Sequence, residues 1–372
     1  MFRWLLTRRP VLLWRGLTTR RDAPDLARLA AETDPESFVW SILPHAARSF
    51  AASIVALPRR KARAAAVAYL YCRMLDTYED LYPESEDRVA ELLRFGGRLR
   101  ETSPPPPTPI ADTLATDERD RLHLLLVARC DLVDAVYGKL AGEQQDAIAR
   151  LVEDMADGMA WSTETLARQH GVLIGQVQVV RYCHNVIGHP ALFALRLLEG
   201  HEPTPSAAQD ALRVSEMVQL ANITRDIEKD LERGIAYHAA LEPFTRGRGD
   251  VGHRAETIRR VREEFLEFAL SRVPSYVRLT EDSSVRRSPA ARAAAVMMLS
   301  FTELHYRKCL RQAGHAPWRG PRGPFSIVLR ASPALVSTRA ARSTIRRIER
   351  NFLMAAAELR MSRSTGETAR PG

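Results

Sequence analysis

Apolar residues recur at helical spacing along most of the chain, as in "AAAVAYLYCRML" from Ala64 to Leu75. Alanine, leucine and arginine, all strong helix formers, dominate these stretches, and no run of alternating β-branched residues marks a sheet. The pattern predicts an all-α protein. Breaks are expected at "LYPES" near Pro83, at the proline run Thr102 to Pro109, and around "EGHEPTP", "TRGRGD" and "GHAPWRGPRGPF". Each reads as a loop between helices, with no interdomain tether and no internal repeat beyond two acidic motifs. The divisions expected are a basic segment over 1–24, one helical body over 25–331, a C-terminal helix over 332–360 and a polar, disordered tail over 361–372.

The chain has 372 residues, 45% of them apolar, enough to bury a substantial core. Its net charge of +9 suits an anionic partner: a phosphorylated substrate, an acidic membrane surface or nucleic acid. Cys72, Cys130, Cys183 and Cys309 are far apart and form no CxxC pair, so they read as reduced core residues of a cytoplasmic protein. The first 24 residues combine tryptophans, leucines and arginines in apolar runs too short to span a bilayer. They read either as an amphipathic anchor on the cytoplasmic membrane face or as a frayed basic end. No other segment is long and apolar enough for a transmembrane helix.

In "YLYCRMLDTYEDLY", Asp76 and Asp80 stand four residues apart, and "QLANITRDIEKDLERG" repeats the spacing with Asp226 and Asp230. Like charges at that spacing destabilise an isolated helix by about 0.2–0.5 kcal/mol, so something should compensate. In the second motif Arg225, Lys229 and Arg233 could do so, and a solvated charged face explains it as well. The first motif continues a core-like helix with Arg73 as its main cation, where unpaired carboxylates are costly unless they bind something. Mg²⁺ is the natural candidate, because it takes hard oxygen ligands and bridges one or two carboxylates to substrate phosphates. Two such faces across a helical cavity would hold several Mg²⁺ ions and a diphosphate, with Glu79 and Glu228 as supporting acceptors.

Arg48 and Ser49 in "HAARSF" open an apolar stretch where a guanidinium and a hydroxyl can grip a phosphate, although spacing alone favours Arg48 as a surface arginine. Asn222 and Gln219 precede Asp226 by one and two turns on nearly the same face, which suits orienting a ligand, a water or a cap. Tyr69, Tyr71, Tyr182, Phe50 and Phe193 fall within apolar helices, as core residues or as the walls of a cation-sheltering cavity.

The segments "ARSFAASIVALP", "YLYCRMLDTYED", "DMADGMAW", "RYCHNVIG" and "QLANITRDIEKDLERG", in this order from about Ser41 to Tyr237, resemble the squalene and phytoene synthase family. That resemblance implies an isoprenoid-synthase-type helical bundle around a central cavity, and a catalytic domain over 25–331. It implies Mg²⁺ held by Asp76 and Asp80 and by Asp226 and Asp230, with Glu79, Gln219 and Asn222 in support. Arg48, Ser49, Arg73 and Arg225 would contact diphosphate, and Tyr69, Arg73 and Tyr182 would act at the reacting carbons. The activity implied is head-to-head condensation of two prenyl diphosphates, farnesyl diphosphate favoured, through a cyclopropylcarbinyl diphosphate to squalene.

Squalene would require NADPH, and the chain has no GxGxxG-bearing βαβ unit, so the basic stretch Leu304 to Gly323 is the candidate contact. "LHYRKCLRQ" looks more like phytoene-type enzymes, which need no reductant, and phytoene, dehydrosqualene and hydroxysqualene stay open. Two departures from the family pattern bear on pocket shape: His189 and Pro190 replace small residues, and "AYHAA" lacks the usual proline. They keep alive a non-catalytic relative acting as an assembly or lipid-binding scaffold. Nucleic-acid binding has no motif behind it and is not expected.

Overall fold

The computed structural model describes residues 12, 24–47, 49–83, 87–245, 247, 251–282 and 288–368. Among these there is no strand, only one parallel bridge between Val172 and Ala236, so the all-α class holds. The chain divides into two compact units, one of residues 1–163 with 196–201 and one of residues 164–195 with 202–372.

In the first unit, α1 (Leu26–Ala30), α2 (Pro35–Ala47), α3 (Ser49–Ala56), α4 (Arg59–Leu81), α5 (Arg88–Gly97), α6 (Glu118–Ala128) and α7 (Cys130–Tyr137) precede α8 (Gly142–Arg168). α4 is the core helix, packed against α2, α3, α5, α6 and α7. It buries Val67, Leu70, Tyr71, Met74, Leu75 and Tyr78, which at helical spacing share one broad face, the face its neighbours cover. Asp87 and Asp117 cap α5 and α6 by accepting hydrogen bonds from Ala90 N and from Arg119 and Asp120 N.

The proline run is fastened to this unit by one buried cation. Arg98, only 1% exposed, donates twice to Asp134 (3.0 and 2.7 Å) and twice to the Pro105 carbonyl (3.0 and 2.8 Å). Tyr71 adds a 2.6 Å hydrogen bond to Asp134, and Tyr78 one of 2.6 Å to the Thr108 carbonyl.

The second unit contains α9 (Gln176–Cys183), a π-turn over His184–Gly188, and α10 (His189–Glu199), whose last residues belong to the first unit. Then follow α11 (Pro205–Glu232), α12 (Glu242–Thr245), α13 (Val251–Leu270), α14 (Val273–Asp282), α15 (Pro289–Gln312), α16 (Pro324–Ala331), α17 (Pro333–Val336) and α18 (Thr338–Thr368). α11 is the core helix here, packed on the π-turn, α13, α14 and α15. Thr204 caps it through Ala207 N, and Pro205 starts it with its φ already helical.

Two glycines set where α11 ends. Gly171 (φ +88°) passes so close to the Gly234 carbonyl (φ +75° at Gly234) that a Cβ on Gly171 would meet that oxygen at 2.0 Å. The crossing is sealed by Ala236 N to Gly171 O (2.8 Å) and Leu173 N to Ala236 O (2.9 Å).

The expected C-terminal helix over 332–360 is split at Ser337 into α17 and α18. α18 continues through Thr368, past Met361, where the disordered tail was expected to begin. Ile345, Ile348, Phe352, Ala355 and Leu359 anchor it in the core, and extending a nucleated helix is far cheaper than starting one. The basic segment 1–24 lies outside the described residues except for Leu12 and Pro24, and residues 369–372 lie outside them too. All four cysteines are free and buried, as expected.

Replacing Asp134 by Ala strands the buried Arg98 guanidinium, and should cost about 3 kcal/mol in denaturant unfolding, whereas Glu153→Ala, at the exposed Arg100 pair, should cost under about 1 kcal/mol.

Candidate active site

Tyr69, Arg73, Asp76, Glu79 and Asp80 lie on the less buried face of α4, interleaved along successive turns with the buried Leu70, Met74, Leu75 and Tyr78. Arg73 organises them, donating to the Tyr69 hydroxyl at 3.0 Å and pairing with Asp76 at 2.8 Å. Its Nε is buried and has no hydrogen-bond partner, so one donor of the fork is left for a further acceptor. Tyr69 in turn donates to the Ala46 carbonyl (3.4 Å) and packs at 5.9 Å from the Phe50 ring.

Burial decides the charge state of these carboxylates. It pushes Asp76 up to about 6, with Asp80 adding repulsion against the opposing attraction of Arg73 and Arg119. Glu79 is pushed up to about 8, first by burial and then by Asp80 and Asp76, despite a hydrogen bond from Ser162. Burial works against the Arg73 charge too, but the Tyr69 oxygen and the Asp76 and Asp80 carboxylates outweigh it, so this cation is held more firmly than usual. A group of acids left partly protonated beside an unpaired N–H fits a divalent cation and a polyanion, which together would take the protons' place.

In the second unit α11 carries the other acidic motif. Arg225 forms a two-pronged pair with its neighbour Asp226, with Nε to Oδ1 at 2.8 Å, and its NH1 lies 3.3 Å from His305 Nδ1. Gln219, buried, accepts from Asn222 Nδ2 at 3.1 Å, so the two amides orient one another over the two turns before Asp226. Asp230 caps the turn beyond α11 through its carbonyl, which accepts from Ile235 N at 2.8 Å. Tyr182 is buried against Tyr237, with ring centroids 5.1 Å apart and hydroxyls 3.3 Å apart.

Glu228 has a partner already: Arg262, buried in α13, holds it with two bonds of 2.8 and 2.7 Å and also donates to Thr224 O. That clamp fixes the back of α11 and leaves Glu228 as a structural residue. Arg48 lies outside the described residues, as does the Ser49 side chain, although Ser49 opens α3. His189 and Pro190 form the first turn of α10, directly after the π-turn, and Gly188 packs on Leu212 and Ser215. π-turns of this kind concentrate at functional positions.

Sequence reasoning missed Arg119, Ser162, Arg262 and His305. Ser162 directly follows "DMADGMAW" and had a signal in that motif. His305 falls in the basic stretch singled out for another role, while Arg119 and Arg262 come from remote helices and had no signal. Among the described residues no group of three or more His, Cys, Asp or Glu side chains is gathered closely enough to hold a metal without rearrangement. The donors present are carboxylate oxygens on adjacent turns, which suits a cation that keeps several of its own waters.

Residues 43–319 match the family described as squalene/phytoene synthase. The chain is 28% identical over 208 residues to squalene synthase of Schizosaccharomyces pombe, covering 52% of this chain and 42% of that one. It is 26% identical over 214 residues to squalene synthase BSS of Botryococcus braunii, covering 56% and 43%. The match thus spans less than half the length of either relative. A solved complex of TcSQS with the ligand BPH1237 superposes with a TM-score of 0.59 at 21% identity, over 87% of this chain and 99% of that one, a likeness of fold.

The raised acids predict a pH signature. Folded Glu79 keeps its proton up to about pH 8, whereas the unfolded chain releases it at the usual carboxylate value, so stability in chelator is full below that value and falls as pH rises towards 8. Melting curves in EDTA from pH 5 to 9, run on wild type and Glu79→Gln, should show the fall in wild type and a flatter profile in the variant.

Proposed function

Because the chain belongs to the squalene/phytoene synthase family, we propose that it condenses two prenyl diphosphates head to head, with farnesyl diphosphate as substrate, a cyclopropylcarbinyl diphosphate as intermediate and squalene as product. The observation that carries this reading is the pair of acidic helices, each with an arginine locked to its first aspartate: Arg73 to Asp76, and Arg225 to Asp226. Polyanion binding needs this mixture, because arginine alone would bind phosphate without a metal and carboxylate alone would repel it.

On this reading Asp76 and Asp80, and Asp226 and Asp230, hold Mg²⁺, with Glu79, Gln219 and Asn222 in support. Bound Mg²⁺ supplies charge neutralisation for the departing diphosphate. The chain's own groups do the rest. Arg73 offers its free Nε–H to a diphosphate oxygen, and Arg225 swings its fork from Asp226 to another; Arg48 and Ser49 join them. Tyr69, fixed by Arg73 and Phe50, and Tyr182, fixed by Tyr237, present aromatic faces to a carbocation and exclude water. No side-chain nucleophile is required. Reduction to squalene draws on NADPH, for which the basic stretch from Leu304 to Gly323 offers cations.

Incubating the purified chain with farnesyl diphosphate and Mg²⁺, with and without NADPH, tests this. Squalene should form only with NADPH, and Asp76→Asn and Asp226→Asn should each lower turnover by about 100-fold or more with the fold intact by circular dichroism. Phytoene from geranylgeranyl diphosphate without reductant would replace the product assignment. Absence of turnover on either substrate would put the chain among non-catalytic scaffolds.

A further inference from the structure

The chain's positive charge is unevenly placed. Residues 304–348 contain ten Lys and Arg and no Asp or Glu, so of the chain's 54 basic residues 44 are left to face 45 acidic ones elsewhere. The whole net charge of +9 therefore resides in this one stretch.

The same stretch carries the most exposed large apolar side chains of the second unit's C-terminal part. Phe325 is 67% exposed and Leu329 65%, one turn apart on α16, and Leu335 and Val336 follow on α17, Val336 at 88%. The opposite face of α16 buries Ile327 and Ala331, so the helix is apolar on both sides. Along the chain, exposed cations bracket α16 and α17: Arg319 and Arg322 before them, Arg339 and Arg342 after them.

This surface is held rigidly from beneath. Glu303, fully buried, accepts from Trp318 Nε1 (2.7 Å), from Asn351 Nδ2 (2.9 Å) and from Arg330. Arg330 is thus turned inward, which leaves the Phe325 and Leu329 face without a charge of its own. Arg307 ties down the preceding loop through the Trp318 and Pro321 carbonyls at 2.9 and 2.6 Å.

We propose that α16 and α17 form a docking surface for an anionic lipid bilayer, with Phe325, Leu329, Leu335 and Val336 entering the headgroup boundary and the flanking arginines pairing with lipid phosphates. Charge complementarity selects the occupant. Nucleic acid would satisfy the arginines but leave four exposed apolar side chains unburied, whereas the interface of an acidic bilayer satisfies both. The inference rests on the surface alone and holds whatever the chain catalyses.

The test is vesicle flotation of the full chain, without substrate, using phosphatidylcholine with about one third phosphatidylglycerol against phosphatidylcholine alone. Wild type should float with the acidic vesicles and bind the neutral ones weakly. Phe325→Ser with Leu329→Ser, and separately Arg319→Gln with Arg322→Gln, should each reduce partitioning about tenfold or more, at an unchanged melting temperature. Trp4→Ser with Trp14→Ser, in the basic N-terminal segment, should leave most of the binding in place. The proposal is overturned if wild type does not bind, if neither α16 pair of changes weakens binding, if only the N-terminal pair does, or if Arg319→Gln with Arg322→Gln alters NADPH binding and leaves vesicle binding untouched.

Discussion

Arg73 is the interaction on which the first acidic helix depends. α4 buries one broad face and carries its carboxylates on the other, where they are still buried enough to require a cation of fixed geometry beside them. Arg73 meets that requirement within its own helix, reaching back one turn to Tyr69 and forward to Asp76. The pair satisfies Asp76 but not Glu79, whose proton stays on well above the normal carboxylate range. The helix is therefore poised for a cation: stable without one while protons remain, and strained by its own charges when they leave.

The second acidic helix solves the same problem differently. α11 is longer, its first aspartate is nearer water than Asp76, and its supports come from other helices. Arg262 clamps Glu228 from α13, His305 meets Arg225 from α15, and the Gly171–Gly234 crossing fixes the end of the helix just beyond Asp230. The result in each unit is one aspartate bound to an arginine and a second on the next turn. Two unlike scaffolds thus present the same pair of functional groups.

Buried polar hubs serve a further purpose away from these helices. Arg98 pins the proline run, and Glu303 with Arg307 pins the loop before α16. In both cases a long irregular connection, which would otherwise be loosely held, is fixed by several charge-assisted bonds from one side chain. Around Glu303 this turns a basic, apolar stretch into a defined surface.

Periodicity by itself determined the helical class, because a 3.6-residue repeat of apolar positions is a local property of the chain, and clusters of proline and glycine marked five of the breaks, while shorter ones such as Arg129 and Ser337 left no such mark. The spacing of Asp76 with Asp80 and of Asp226 with Asp230 was equally legible, since residues four apart on a helix share a face in any context. What Glu228 does was not: its partner Arg262 is far along the sequence, and only the packing of α13 on α11 brings them together. The same holds for Ser162 beside Glu79 and for the inward turn of Arg330, which leaves the apolar face of α16 uncharged. Local sequence fixes which groups a helix displays, while burial and partners, which set charge state and availability, arise only where distant segments meet.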